Sequence, residues 1–286
     1  MKSVNQDNQP FEPQAKAIST SCNTLECMKC ISFLLLAFSL AAAFTASGQD
    51  AEYWMAQAIA DHQNGSSQLA LDDIDEYLAL NPDDAWAWSF KANLLKDMKR
   101  YLEAVDSFDQ IIRIDPGNAQ AYNDRALLLS GGLSQHDDAL DSIKRSIEIN
   151  PGNANYHFNM GIILEAGESY DEALQSYGQA TALNPSLDVA WYRQGLVYKD
   201  MKRFNEAVIS LSRALDLNSN NADAWNEKGL ALMELGSRDE AIGCFERAAE
   251  IEPSNWQFQK NLEMAKGGSD LQLDRIMEFG SNAQDA

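Results

Sequence analysis

The chain has 286 residues and a formal net charge of −21, from 22 basic against 43 acidic side chains. Residues 1–48 hold three lysines and three carboxylates, so the whole deficit belongs to residues 49–286. That argues against nucleic acid as a partner, because phosphate contacts need a basic face; a basic or neutral protein partner stays open, and the charge also keeps an elongated surface soluble.

Residues 1–27 are polar and unpatterned and read as a disordered leader. An apolar run from Ile31 to Phe44 follows Lys29 and precedes small residues. It is too short for a comfortable membrane span, and residues 28–48 have the layout of a secretory signal peptide, with cleavage after Ser47 or Gly48. An uncleaved membrane anchor is the alternative. Either way the rest of the chain is expected outside the cytoplasmic membrane, secreted or tethered by this segment. Since the signal looks complete from Met28, translation is expected to start there. Cys22, Cys27 and Cys30 are spaced nearly like an iron–sulfur run, but a fourth ligand is absent nearby. Without the leader only Cys244 remains, a small packing residue, and no intrachain disulfide is possible.

From Asp50 onward one pattern repeats. Bulky residues stand at Trp54, Trp88, Tyr122, His157, Trp191 and Trp225, spaced 34, 34, 35, 34 and 34. Four residues after each comes a small one: Ala58, Ala92, Ala126, Gly161, Gly195, Gly229. A second set, Ala70, Ala104, Ala139, Ala173, Ala207 and Ala241, is followed four on by Ile74, Phe108, Ile143, Tyr177, Leu211 and Phe245. Prolines at 82, 116, 151, 185 and 253 close the units, with Ser219 in the remaining slot. The spacing puts one apolar stripe on each of two short helices. In the unit 188–221, Gly195 and Ala207 are small where the helices cross, and Trp191 and Tyr198 are expected to fill the space beside them.

These residues resemble the tetratricopeptide repeat family, with its 34-residue period of Trp, Leu-Gly, Tyr, Ala, Phe and Pro. Trp225, Gly229, Ala241, Phe245 and Pro253 match that signature; Lys228, Leu232, His157, Tyr77 and Ile111 depart from it. The resemblance implies an all-α solenoid of six helix-turn-helix hairpins in a right-handed superhelix, its concave groove lined by the first helices and used to hold a partner's peptide or helix. The repeats are expected at 51–84, 85–118, 119–153, 154–187, 188–221 and 222–255 within a solenoid spanning 49–266.

The first repeat is the least regular, with Asp61 where others place Leu or Tyr, as suits an end unit. Its acidic run Asp72, Asp73, Asp75, Glu76 lacks the glycine and closing glutamate of a calcium loop and reads as a solvated face. Turns at Asp115–Asn118 and Asn150–Asn153 stop one hairpin and start the next. The extra residue of the third repeat is expected in the turn Ser130–Gln135, softened by Gly131 and Gly132 and locally mobile. Residues 256–266 read as a capping helix, with Trp256, Leu262 and Ala265 inward and Lys260 and Glu263 outward. The tail 267–286 is expected to be flexible; its Leu271, Leu273, Ile276, Met277 and Phe279 either fold back or dock on another copy.

No catalytic, cofactor or metal site is expected. His62, His136 and His157 are isolated, and no phosphate loop, nucleophile elbow or triad is present. Groove-facing candidates on the first helices are Trp86, Ser89, Asn93, Asn123, Phe158, Asn159, Tyr192, Arg193, Leu196, Lys199 and Asn226, with the aromatics as anchors for a peptide. Some family members grip a C-terminal carboxylate; the corresponding slots here hold Asn123, Leu127, Asn159, Val189 and Arg193, of which only Asn159 and Arg193 match, so no such clamp is expected. The function expected is a non-enzymatic adaptor or scaffold binding a peptide or protein segment. The alternative is a self-associating structural or envelope-assembly component, and the oligomeric state is left open.

Overall fold

In this computed structural model residues 50–267 are described. The expectations for the leader 1–27, the signal or anchor 28–48 and the tail from residue 268 onward lie outside the described residues. The chain divides into the units Met1–Tyr53 and Trp54–Ala286, and the helical stack belongs to the second.

The described residues form thirteen helices and no strand. Six pairs follow in order: α1 (50–63) with α2 (Ser67–Leu80), α3 (Ala85–Asp97) with α4 (Tyr101–Ile114), α5 (Ala119–Leu133) with α6 (His136–Ile149), α7 (Ala154–Ala166) with α8 (Tyr170–Leu183), α9 (Asp188–Asp200) with α10 (Phe204–Leu217), and α11 (Ala222–Glu234) with α12 (Arg238–Ile251). A single helix, α13 (Trp256–Lys266), closes the row. No helix among the described residues is long and apolar enough to cross a membrane.

Each hairpin is punctuated by local chemistry. Asp84, Asn118, Asn153, Asn221 and Asn255 stand just before first helices and accept hydrogen bonds from backbone amides two or three residues on, which satisfies donors a helix start leaves open. Within the hairpins, one residue takes a left-handed conformation at every turn: Gly65, Lys99, Ser134, Glu168, Lys202 and Gly236. The next amide then returns to a carbonyl near the helix end, as Arg100 N does to Leu95 O, Ser169 N to Leu164 O and Arg203 N to Tyr198 O. In the third hairpin that bond runs from Gln135 N to Leu129 O, one residue wider. The additional residue is therefore taken up by a longer α5, and Gly131 and Gly132 lie inside that helix rather than in a turn. A β-carbon at Gly132 would meet the Tyr101 ring at 2.8 Å.

The repeated small and large residues touch each other. A β-carbon at Gly161 would come within 2.5 Å of Tyr177, at Gly195 within 2.6 Å of Leu211, and at Gly229 within 2.6 Å of Phe245. A large side chain on each second helix thus seats on the bare backbone of its first helix, corresponding to the close packing of a protein interior. At Gly195 the crossing is filled by Leu211. Trp191 is half-buried, and its ring donates to the Pro185 carbonyl at 3.2 Å. Trp88 does the same to Pro82 at 2.8 Å and Trp225 to Ser219 at 3.0 Å, while His157 Nε2 lies 3.0 Å from the Pro151 carbonyl. In four of the repeats the slot aims a ring nitrogen at a turn carbonyl, which histidine supplies at 157 and which a serine carbonyl accepts at 219. Tyr77, oversized for its slot, sends its hydroxyl to the Asp84 carboxylate at 2.7 Å.

The cap differs from expectation in its anchor. Phe258, Leu262 and Ala265 are buried, whereas Trp256 is half-buried beneath Lys260. Cys244 is buried, with burial pushing its thiol pKa up, as suits a packing residue.

Candidate partner-binding groove

First helices touch across hairpins at α5 with α7, α9 with α11 and α11 with α13. Among the described residues, successive second helices make no comparable contact. The stack therefore closes toward the first-helix side, and residues at i, i+4 and i+7 on that side form a common inner face.

The candidate residues divide into three kinds of position on this face. Trp86 is 57% exposed and stacks on Phe90 at 5.6 Å between ring centroids, with the His62 ring edge-on to Phe90 at 5.5 Å. Asn93 is exposed, bonded to the Ser89 carbonyl at 3.0 Å and to Lys96 at 3.1 Å. These two offer atoms to solvent.

Other candidates are occupied within the stack. Asn123 is buried and accepts from Asn159 Nδ2 at 2.7 Å, while its own amide donates to Asp124 at 2.9 Å. Asn226 is buried and accepts from Asn261 Nδ2 at 2.6 Å. Arg193 meets Glu165 at 3.3 Å, and Lys199 pairs with Glu227. The Asn123–Asn159, Asn226–Asn261, Arg193–Glu165 and Lys199–Glu227 contacts each join one first helix to the next, so the charges of Arg193 and Lys199 are answered within the stack. Of the two clamp-like residues, Asn159 is engaged by Asn123 and Arg193 by Glu165.

Phe158 and Tyr192 are half-buried. Phe158 leans on the Tyr177 ring at 5.7 Å, and Tyr192 packs against the Leu211 and Leu215 cluster. The Tyr192 hydroxyl pKa is raised to about 12, first by burial and then by the negative charge of Asp223 and Glu227. Beneath them Tyr177 donates to Glu165 at 2.5 Å; burial foremost and that bond next hold its phenol far above the usual range.

One feature of the face escaped the sequence reading as a set. Leu127, Ile162, Leu196 and Leu230 recur at the position after the small residue, and Met264 continues the same 34 to 35 spacing after Glu263. They are half-exposed, except Met264, which is 53% exposed, and they lie four residues beyond Asn123, Phe158, Tyr192, Asn226 and Lys260. Together they make an apolar stripe along the inner face. The periodicity that located the core also contained this stripe, but only Leu196 was singled out as a groove residue.

Family models match this chain in four stretches, described as TPR repeat over 195–236 and as tetratricopeptide repeat over 87–118, 131–188 and 222–255. The chain belongs to the tetratricopeptide repeat family. A TPR repeat-containing protein of Rhizobium etli is 32% identical over 77 residues, 27% of this chain. The match spans 36% of that relative's length. Among solved structures, PilW, a type IV pilus biogenesis factor, is similar with a TM-score of 0.61 at 16% identity, over 75% of this chain and 97% of that one. MamA is similar with a TM-score of 0.53 at 22% identity, over 57% and 94%. YrrB, described as a TPR protein with an unusual peptide-binding site, has a TM-score of 0.52 at 20% identity, over 65% and 95%. At these identities the likeness concerns the TPR fold.

Proposed function

We propose that this TPR protein is a non-enzymatic scaffold that holds a segment of a protein partner in its inner groove, and that it works outside the cytoplasmic membrane. The observation that carries the reading is the apolar stripe Leu127, Ile162, Leu196, Leu230 and Met264, set between ion pairs that are already internally satisfied. A surface built this way gains by covering carbon and gains little from a charged ligand, so the partner segment is apolar on one side and near neutral where it touches the groove. The acidic remainder of the surface favours a partner that is basic elsewhere, by steering encounter rather than by contact. YrrB, a relative in fold, is described as binding peptide, which agrees with this use of the groove. The location rests on residues 28–48 alone, read as a signal or anchor.

Affinity capture from the native envelope fraction tests both parts. Chains carrying Leu127→Asp and Leu196→Asp place carboxylates on the stripe at half-exposed positions, and their helicity is checked by circular dichroism. Loss of one specific protein partner with helix content retained supports the reading. Equal capture by both chains would refute the groove, and recovery of the partner only from cytosol would refute the location.

A further inference from the structure

The first helix of the second hairpin departs from the repeat plan at two slots of the inner face. Trp86 occupies the slot that holds Gln120, Asn155, Val189, Asp223 and Gln257 in the later first helices. Phe90, one turn on, occupies the slot of Asp124, Asn159, Arg193, Glu227 and Asn261. In those helices this second slot carries polar contacts between neighbouring first helices, such as Asn159 to Asn123 and Asn261 to Asn226. Helix α3 has rings in both places. The apolar stripe also stops here, because its slot in α3 holds Asn93.

The two rings form a platform. They stack at 5.6 Å with 8° between their planes, and the His62 ring meets Phe90 edge-on at 87°. Phe90 is half-buried, whereas Trp86 remains 57% exposed. Stacking on Phe90 holds the indole in place and covers one of its faces, so the other stays open to a ligand. Trp88, Trp191 and Trp225 commit their indole N–H to a turn carbonyl, but that of Trp86 has no partner among the described residues.

The surrounding charge selects what the platform can hold. Residues 54–90 carry seven carboxylates and no lysine or arginine. Two of the seven are answered from outside that stretch, Asp75 by Lys91 and Asp83 by Arg113. Asp84 accepts the Trp86 amide at 2.9 Å and the Tyr77 hydroxyl at 2.7 Å, neither of which carries a charge to offset its own. Asp73 registers the excess: burial first, then its hydrogen bond with Asp61 and the charges of Asp61 and Asp72, push its carboxyl pKa up. Of the nearby cations, Lys91 lies over Trp88, and Lys96 is bonded to Asn93, two turns from Trp86 and roughly 10 Å along α3. The screening length at physiological salt is about 8 Å, so Lys96 opposes a cation at Trp86 only weakly. A neutral ring would gain from the bare indole alone. The carboxylates favour a cation, and the planar, weakly hydrated guanidinium is the side-chain cation best suited to stack on indole.

We propose that the Trp86 platform binds an arginine side chain of the partner segment, stacked on the open face of the indole, with the indole N–H offered to a carbonyl of that segment. The proposal rests on the reading of the inner groove as a site for a protein segment and names the chemistry at its N-terminal end. There the acidic surface contributes a contact as well as steering.

Three acetylated and amidated peptides, Gly-Xaa-Gly-Xaa-Gly with arginine, lysine or citrulline at both variable places, are titrated into the isotope-labelled full chain and followed by the indole N–H signals. Trp86→Phe identifies the Trp86 signal by its disappearance. That signal should move with the arginine peptide, and binding should weaken about twofold to fivefold with citrulline, with lysine between the two. In a Trp86→Ala chain the arginine and lysine peptides should bind alike; if that variant loses helicity, the series on the native chain decides. Equal binding of all three peptides to the native chain overturns the proposal, as does movement of other indole signals while that of Trp86 stays in place. So does a Gly-Pro-Gly-Pro-Gly peptide that binds more tightly than the arginine one. Arginine binding at Trp86 in a chain that captures no partner leaves the arginine site standing and removes the groove reading. Partner capture abolished by Leu127→Asp and Leu196→Asp, with no preference for arginine at Trp86, does the reverse.

Discussion

Leu211 of α10 presses on Gly195 of α9, where a β-carbon would come within 2.6 Å of Leu211 Cγ and 3.3 Å of its backbone nitrogen. Helix propensity alone favours alanine there by about 1 kcal/mol. Overpacking costs roughly 1–3 kcal/mol, and backbone on the far side leaves little room to relax. Gly195→Ala is therefore expected to lower the urea midpoint despite the better helix former. Gly243→Ala is the internal control, because no atom lies within 4 Å of a β-carbon there, and it should gain about 0.5–1 kcal/mol. Equal gains at both sites would mean that the crossing is looser than described.

Ser146 presents the opposite case. Its hydroxyl is fully buried and has no hydrogen-bond partner. In the next three hairpins the same slot holds Ala180, Ala214 and Ala248. Removing an orphaned buried hydroxyl recovers its desolvation cost, of order 1–3 kcal/mol, less the small cavity left behind. Ser146→Ala should raise the urea midpoint by the equivalent of about 1 kcal/mol. A lower midpoint would show that the hydroxyl finds a partner in solution.

The hairpins were legible in the sequence because their core depends on a local match: a small residue and a large one, sixteen or seventeen positions apart, must meet in every unit. Gly161 with Tyr177 and Gly229 with Phe245 are such pairs. The turns were less legible, since Lys99, Glu168 and Lys202 occupy a left-handed conformation that a reader expects of glycine. Contacts between hairpins were not legible at all. Asn123 and Asn226 have the exposed look of polar residues on a first helix, yet the curvature of the stack brings Asn159 and Asn261 against them and buries them. Curvature is a sum of small rotations across many contacts, and no single residue type announces it.

The Asn226 and Asn261 pair can be tested by a double-mutant cycle. Asn261 Nδ2 donates to Asn226 Oδ1 at 2.6 Å, and Gln257 donates to Asn261 Oδ1 at 3.1 Å, with both asparagines buried. Asn261→Ala leaves the Asn226 carbonyl without its partner and should cost about 1–3 kcal/mol. The double alanine variant should cost less than the two single variants summed, by a coupling of roughly 1 kcal/mol. Simple additivity in thermal and urea unfolding would mean that the bond contributes no stability and that the amides are free for a ligand.

Alkaline pH tests the layer beneath the groove. Tyr177 is almost wholly enclosed, and its hydroxyl is committed to Glu165, whose other oxygen faces Arg193. Burial and the Glu165 bond raise its pKa; Tyr77 is raised to about 12 by its bond to Asp84 and then by burial, and Tyr192 to about 12 by burial and neighbouring carboxylates. In the unfolded chain these phenols ionise near their ordinary value of about 10. A raised folded pKa means that folding favours the protonated form, so the stability is fully present below pH 10 and falls as the pH climbs through 10 to 12 and beyond. Helicity should therefore fall cooperatively in that range, and Tyr177 should ionise only as the stack opens, read as tyrosinate absorbance rising together with the loss of helix. Tyr177→Phe keeps the ring against Gly161 and removes the proton, so it should shift the alkaline midpoint upward while costing stability at neutral pH through the lost Glu165 bond. A Tyr177→Phe chain with an unchanged alkaline midpoint would assign the transition to Tyr77 and Tyr192 instead.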